Sequence, residues 1–153
     1  MNRLAAELVK GILSEAEVPR KEIVGMFGGG FKPPTVGHLE VVKRALDENP
    51  EMDRMVVLVG SGERDSITQA ESLAIWRIYQ KYLPKKVEVQ PAPEGKAPIR
   101  AIYGFGSKNP DKTVYWFLGA REGNEGDVQD IMKRTKTLRK GEHPNIEVKQ
   151  ITT

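Results

Sequence analysis

Five short apolar runs alternate along this chain with stretches of helical periodicity, and that alternation restricts the fold more than any other feature of the sequence. The runs are Ile23-Val24-Gly25-Met26-Phe27, Arg54 to Gly60 with Met-Val-Val-Leu-Val at its centre, Val87 to Gln90, Val114 to Leu118 and Ile146 to Ile151. Each has the length of a buried strand and reads as apolar on both faces. Between them, Val36 to about Asn49, Thr68 to Tyr82, Pro98 to about Lys108 and Asp127 to Leu138 read as helices. Thr68 followed by Glu71 has the spacing of a capping box, and Asn49-Pro50 closes the first of these helices. Apolar strands separated by helices imply an α/β domain with a parallel five-stranded sheet covered on both sides, and right-handed crossovers make it doubly wound. Ligands of such a sheet bind beyond the carboxyl ends of its strands, where the strand order reverses; the loop after the first strand belongs there.

A chain of 153 residues has room for one such domain and little more. Leu4, Leu8 and Ile12, with Val9 and Leu13, recur at helical spacing, so residues 1–20 read as an amphipathic helix with its linker and 21–153 as the domain. The apolar stripe of that helix has to be covered, by the body of the domain or by a second subunit in a homo-oligomer. The net charge of +3 comes from 24 basic and 21 acidic residues spread along the chain, which argues weakly for a polyanionic partner and strongly for solubility. Without cysteine there is no disulfide, thiolate zinc site or Cys nucleophile. His38 and His143, the two histidines, are too few for a multi-histidine metal site. No apolar run approaches the roughly 20 residues that span a bilayer, and Arg3, Glu7 and Lys10 interrupt the opening segment, so the expectation is a cytoplasmic protein with no membrane partner.

The segment Gly28-Gly29-Gly30-Phe31-Lys32-Pro33-Pro34-Thr35-Val36-Gly37-His38 follows the first strand. Thr35 is placed to be the N-cap of the next helix, which sets His38 among free backbone N–H groups in its first turn. A helix N-terminus attracts anions; Gly37 removes a side chain where a phosphate would approach, and Gly28, Gly29 and Gly30 let the preceding loop come equally close. Pro33 and Pro34 stiffen the loop in advance. Lys32 and His38 can supply positive charge to phosphate oxygens. The loop fits neither the G-x-x-x-x-G-K-[ST] pattern nor the third glycine of the dinucleotide fingerprint.

Gly30-Phe31-x-Pro33-Pro34-Thr35-x-Gly37-His38 resembles the [HT]-x-G-H signature of the nucleotidyltransferase superfamily, which includes cytidylyltransferases, nicotinamide mononucleotide adenylyltransferases and pantetheine-phosphate adenylyltransferases. Short phage-type members are the most similar. The resemblance covers the order of elements from about residue 22 to 151, and it implies a Rossmann-like fold with a nucleoside triphosphate, a small phosphorylated acceptor and Mg2+ carried by the triphosphate. It implies catalytic roles for His38, Thr35 and Lys32 and nucleotide contacts for Gly28, Gly29, Gly30, Phe31 and Gly37. Arg64, Gly119 and Arg121 join them, because they fall on the same carboxyl rim. The family often has an Asp soon after the fourth strand, where this chain reads Gly119-Ala120-Arg121-Glu122. It also has a Ser/Thr turn after the last strand, which the resemblance would start at about Thr152-Thr153, the last two residues of the sequence.

Plainer roles stand beside these. Capping alone accounts for Thr35, and Lys32 and Arg121 can be solvated charges. Trp76, Tyr79 and Tyr82 read as core and interface, His143 as a loop residue, and Pro91 to Pro98 as a mobile loop. Lys133, Arg134, Lys136, Arg139 and Lys140 form a solvated helix face or a polyanion contact. The functional expectation is transfer of AMP or CMP to a phosphorylated acceptor with release of pyrophosphate. Its rivals are a binding module of the same fold without turnover, and a nucleic-acid-binding protein using Lys133 to Lys140.

Overall fold

A computed structural model describes residues 20–140 and 143–153. The helix expected at residues 2–17, with any subunit contact through it, lies outside the described residues, as do the side chains of Arg139 and Lys140.

The chain runs β1 (Ile23–Gly29), α1 (Val36–Glu48), β2 (Arg54–Val59), α2 (Gln69–Gln80), β3 (Val87–Pro91), α3 (Pro98–Lys108), β4 (Thr113–Ala120), α4 (Glu125–Lys140) and β5 (Ile146–Thr152). The strands form one sheet in the order β3-β2-β1-β4-β5, every neighbouring pair parallel. Strand order reverses between β1 and β4. α1 and α2 cover one face, where Val42, Ala45 and Trp76 pack on Phe27, Val57 and Phe117. α3 and α4 cover the other, where Ile102 and Leu138 pack on Val24, Val56 and Trp116. The sheet is therefore doubly wound, a Rossmann-like α/β fold, and the loop after β1 lies at its switch point as the sequence predicts.

Three local readings change. The glycines do not stop β1 at Phe27: Gly28 and Gly29 pair with Leu58 and Val59. Their missing side chains instead admit neighbours, since a Cβ on Gly28 would lie 2.7 Å from the Pro98 side chain and one on Gly29 2.9 Å from the Phe31 ring. Only the three central strands are apolar on both faces. The edge strands β3 and β5 carry Glu88, Gln90, Glu147 and Lys149, because an edge has less of its surface to bury. The segment after β3 is anchored at its start, with Ala92 buried and its N–H donating to the Val59 carbonyl at 2.8 Å.

At the amino ends of the strands, Glu22 accepts from Arg54 at 2.6 Å and from Lys112 at 2.8 Å, tying together the starts of β1, β2 and β4. Among the described residues no helix is long and apolar enough to cross a membrane.

Candidate functional site

At the carboxyl ends of β1 and β4 the structure opens a cleft of about 480 Å³. Every site residue singled out in the sequence lines it: Gly28 and Gly29 from the end of β1, Gly30, Phe31 and Lys32 from the loop that follows, Thr35, Gly37 and His38 from the start of α1, Arg64 from the loop after β2, Gly119 from the end of β4 and Arg121 just beyond it. A Cβ on Gly30 would meet nothing within 4 Å, so that backbone is open, whereas Gly119 packs close enough to α1 that its Cβ would sit 3.0 Å from Val41.

Thr35 is the N-cap of α1, and its partner in the capping box is His38. The His38 N–H reaches Thr35 Oγ1 at 3.4 Å, and the Thr35 N–H donates to His38 Nδ1 at 2.8 Å. A backbone N–H can only donate, so Nδ1 carries a lone pair and the ring hydrogen sits on Nε2. Burial also lowers the pKa of His38 from its ordinary value. His38 is thus a neutral ring that offers an Nε2 hydrogen at neutral pH, which corrects the expectation that it supplies positive charge.

Lys32 differs from expectation as well. Its side chain is buried, and its ammonium donates to the carbonyls of Gly30 and Gly60, the latter at 3.0 Å. Desolvation, with Arg64 nearby, lowers its pKa. Lys32 clamps the loop after β1 to the loop after β2, which occupies two of the three hydrogens it would need for a phosphate.

Phe31 holds the loop in the left-handed region, at φ 50°. Its ring meets His38 edge-on at 4.9 Å and Trp76 at 5.1 Å. Trp76 is a core residue whose indole N–H has no partner among the described residues, and Tyr79 donates to the Pro34 carbonyl at 3.2 Å, so neither is free to stack on a base. Tyr82 is exposed.

On the opposite wall, Arg121 is held by Asp127 through two side-chain hydrogen bonds of 3.0 and 3.2 Å and one of 2.9 Å from its own amide. Asp127 is the one acidic side chain among the described residues that line this cleft, and sequence reasoning passed over it. It belongs to the first turn of α4, where Asn124 Oδ1 accepts its N–H at 3.0 Å. The readable signal was Asn124 three residues ahead, an N-cap that starts the helix earlier than the Asp127 expected from periodicity. Among the described residues no three His, Asp or Glu side chains group to hold a metal, and Asp127 is already paired, so the donor set does not fit a protein-held ion.

Arg64 is exposed and also lines a second cleft of about 420 Å³ between the loops after β1, β2 and β3, with Glu63 and Lys96 on its rim. Lys133 and Arg134 lie elsewhere, around a hollow with Tyr103 on the α3 and α4 side of the sheet. His143 stacks on Tyr103 at 4.8 Å.

The sequence matches no family model and no curated protein. Among solved structures the chain is similar to a Vibrio parahaemolyticus protein provisionally named as a nicotinate-nucleotide adenylyltransferase, with a TM-score of 0.58, 12% identity, and coverage of 86% of this chain and 74% of that one. At that identity the likeness establishes the fold, a Rossmann-like α/β sheet matching this nucleotidyltransferase-like neighbour.

Proposed function

We propose that the chain is a nucleotidyltransferase that takes AMP or CMP from a magnesium-bound nucleoside triphosphate to a phosphate-bearing acceptor. The observation that carries this reading is the capping box, which fixes His38 as an Nε2–H donor in the switch-point cleft. The N–H groups of Val36 and Gly37, unlike that of His38, make no hydrogen bond among the described residues and remain available to an anion. Magnesium enters as part of the substrate, held by the phosphates.

In the reaction an acceptor phosphate oxygen attacks the α-phosphorus. The new P–O bond forms as the bond to the bridging oxygen of the β-phosphate breaks, and pyrophosphate leaves with the electron pair. The chain's own contribution is alignment and charge stabilisation: N–H donors at the helix start and His38 Nε2–H on the phosphate oxygens, and Arg64 between this cleft and the second, which is the place for the acceptor. No covalent intermediate is needed. The test is pyrophosphate release with ATP, CTP, GTP or UTP, each with magnesium, after thermal-shift screening has identified which nucleotide binds; absence of binding by all four rejects the reading.

A second reading, a binding module without turnover, is favoured by the engagement of Lys32 and Arg121 with internal partners. Nucleotide binding without pyrophosphate release distinguishes it. Use of Lys133 and its neighbours for nucleic acid predicts instead an affinity that falls steeply with salt.

A further inference from the structure

The carbonyl groups of the loop after β1 are almost all consumed inside the protein. Gly29 O accepts from the Gly60 N–H at 2.8 Å, Gly30 O from the Lys32 ammonium, Phe31 O from Ser72 Oγ at 2.5 Å, Pro34 O from Tyr79 at 3.2 Å, and Thr35 O from the His38 and Leu39 N–H groups at 3.0 and 3.2 Å. The N–H groups of Phe31 and Lys32 have no such partner among the described residues. A loop most of whose acceptors are occupied while its donors are not favours anions, because few carbonyl lone pairs are left to repel the ligand.

Two of these donors come from α2, which contributes no side chain to the wall of the cleft. Ser72 is fully buried, and its hydroxyl is spent on Phe31, the residue in the left-handed conformation that a bulky side chain avoids. Phe31 in turn sets its ring against His38. We propose that Ser72, seconded by Tyr79, is a positioning residue: it holds Phe31 in its unfavourable conformation and so fixes the anion-binding loop and the orientation of the His38 ring. This rests on the reading of the cleft as a triphosphate site, and it adds a determinant that lies behind the cleft and touches no ligand.

The removal of the Ser72 hydroxyl leaves the Phe31 carbonyl without its donor and lets Phe31 relax towards negative φ, which withdraws the ring from His38. The probe is inorganic tripolyphosphate with magnesium, which carries no base and so reports on the loop alone. The second readout is the 15N spectrum of the histidine side chains, simplified because the chain has two histidines, His38 and His143. Wild type should show His38 with Nδ1 unprotonated and Nε2 protonated. Ser72→Ala should weaken tripolyphosphate about 10-fold, the usual worth of one well-placed hydrogen bond, and shift His38 towards mixed tautomers. Ser72→Thr, which retains the hydroxyl, should restore both. Tyr79→Phe should weaken binding by a smaller factor and serves as the test if Ser72→Ala does not fold. Leu138→Ala, a core truncation on the far face, should lower stability without changing either readout. Wild-type affinity and an unchanged His38 spectrum in Ser72→Ala and Tyr79→Phe together would overturn the proposal. If wild type itself does not bind tripolyphosphate, the functional reading fails, and the His38 spectrum still decides whether Ser72 positions the ring.

Discussion

Asp127 grips Arg121 with both carboxylate oxygens, at 3.0 and 3.2 Å, and also accepts the Arg121 amide hydrogen at 2.9 Å. The guanidinium side chain stands in solvent while Asp127 is largely covered, so the pair is a latch at the rim rather than part of the core. The pKa of Arg121 is raised and that of Asp127 lowered, each chiefly by the hydrogen bonds to the other.

A phosphate entering the cleft competes with Asp127 for Arg121. Asp127→Asn removes the competing charge, keeps a side chain of the same size and should strengthen binding of a magnesium nucleotide a few-fold, with the gain shrinking at high salt because the Arg121 guanidinium is exposed. Isothermal titration at two ionic strengths measures it. Weaker binding in the variant would mean that Asp127 serves by holding the loop of Arg121 in place.

His38→Ala should lower the rate of pyrophosphate release by roughly 100-fold to 1000-fold, the usual loss for one charge-stabilising donor. Thr35→Ala should cost about 1 kcal/mol of stability through the lost cap while keeping the backbone N–H that holds His38 Nδ1, so its effect on the rate should be much smaller than that of His38→Ala, and Thr35→Ser should retain the cap as well. Urea denaturation and steady-state kinetics on the same preparations separate the two effects.

The pKa of His38 is lowered by burial, so between its folded value and the ordinary 6.5 the unfolded chain binds more protons than the native one. Its contribution to stability is therefore fully present above pH 6.5 and is lost as pH falls through the lower, folded value. Melting curves between about pH 5 and pH 8 should show this loss in wild type and a flatter profile in His38→Gln. Nucleotide affinity should pass through the same transition, since protonation of Nδ1 breaks the bond from the Thr35 amide.

Lys32→Met should act mainly on stability. Two carbonyls lose their ammonium donor, which costs roughly 1 to 3 kcal/mol by the usual penalty for buried groups left unpaired, and the loops after β1 and β2 should exchange amide hydrogens faster. A variant as stable as wild type but defective in nucleotide binding would return Lys32 to the role of a phosphate ligand.

The architecture was legible because each helix and strand announces itself locally: Met55 to Val59 is apolar at every position, and Thr68 with Glu71 forms the capping box that its spacing predicts. The gathering of Gly28 to Lys32, Thr35, Gly37, His38, Arg64, Gly119 and Arg121 around one cleft was legible from topology alone, since all of them lie at or beyond the carboxyl ends of strands. What escaped the sequence were the pairings. That Lys32 turns inward depends on the Gly60 carbonyl in the loop after β2, and that Arg121 is paired depends on the exact start of α4 at Glu125. His38 read as a cation because histidine charge is set by what its ring nitrogens face. Here that partner is the backbone N–H of Thr35, whose direction no residue pattern encodes.

Arg64 borders both the cleft at the switch point and its neighbour beneath the loop after β3. One guanidinium serving two compartments makes their occupancies a single thermodynamic problem: whatever factor a ligand in one compartment applies to affinity in the other is returned in full in the reverse direction. Were ligands to load both clefts in succession, one coupling constant rather than two independent affinities would describe them.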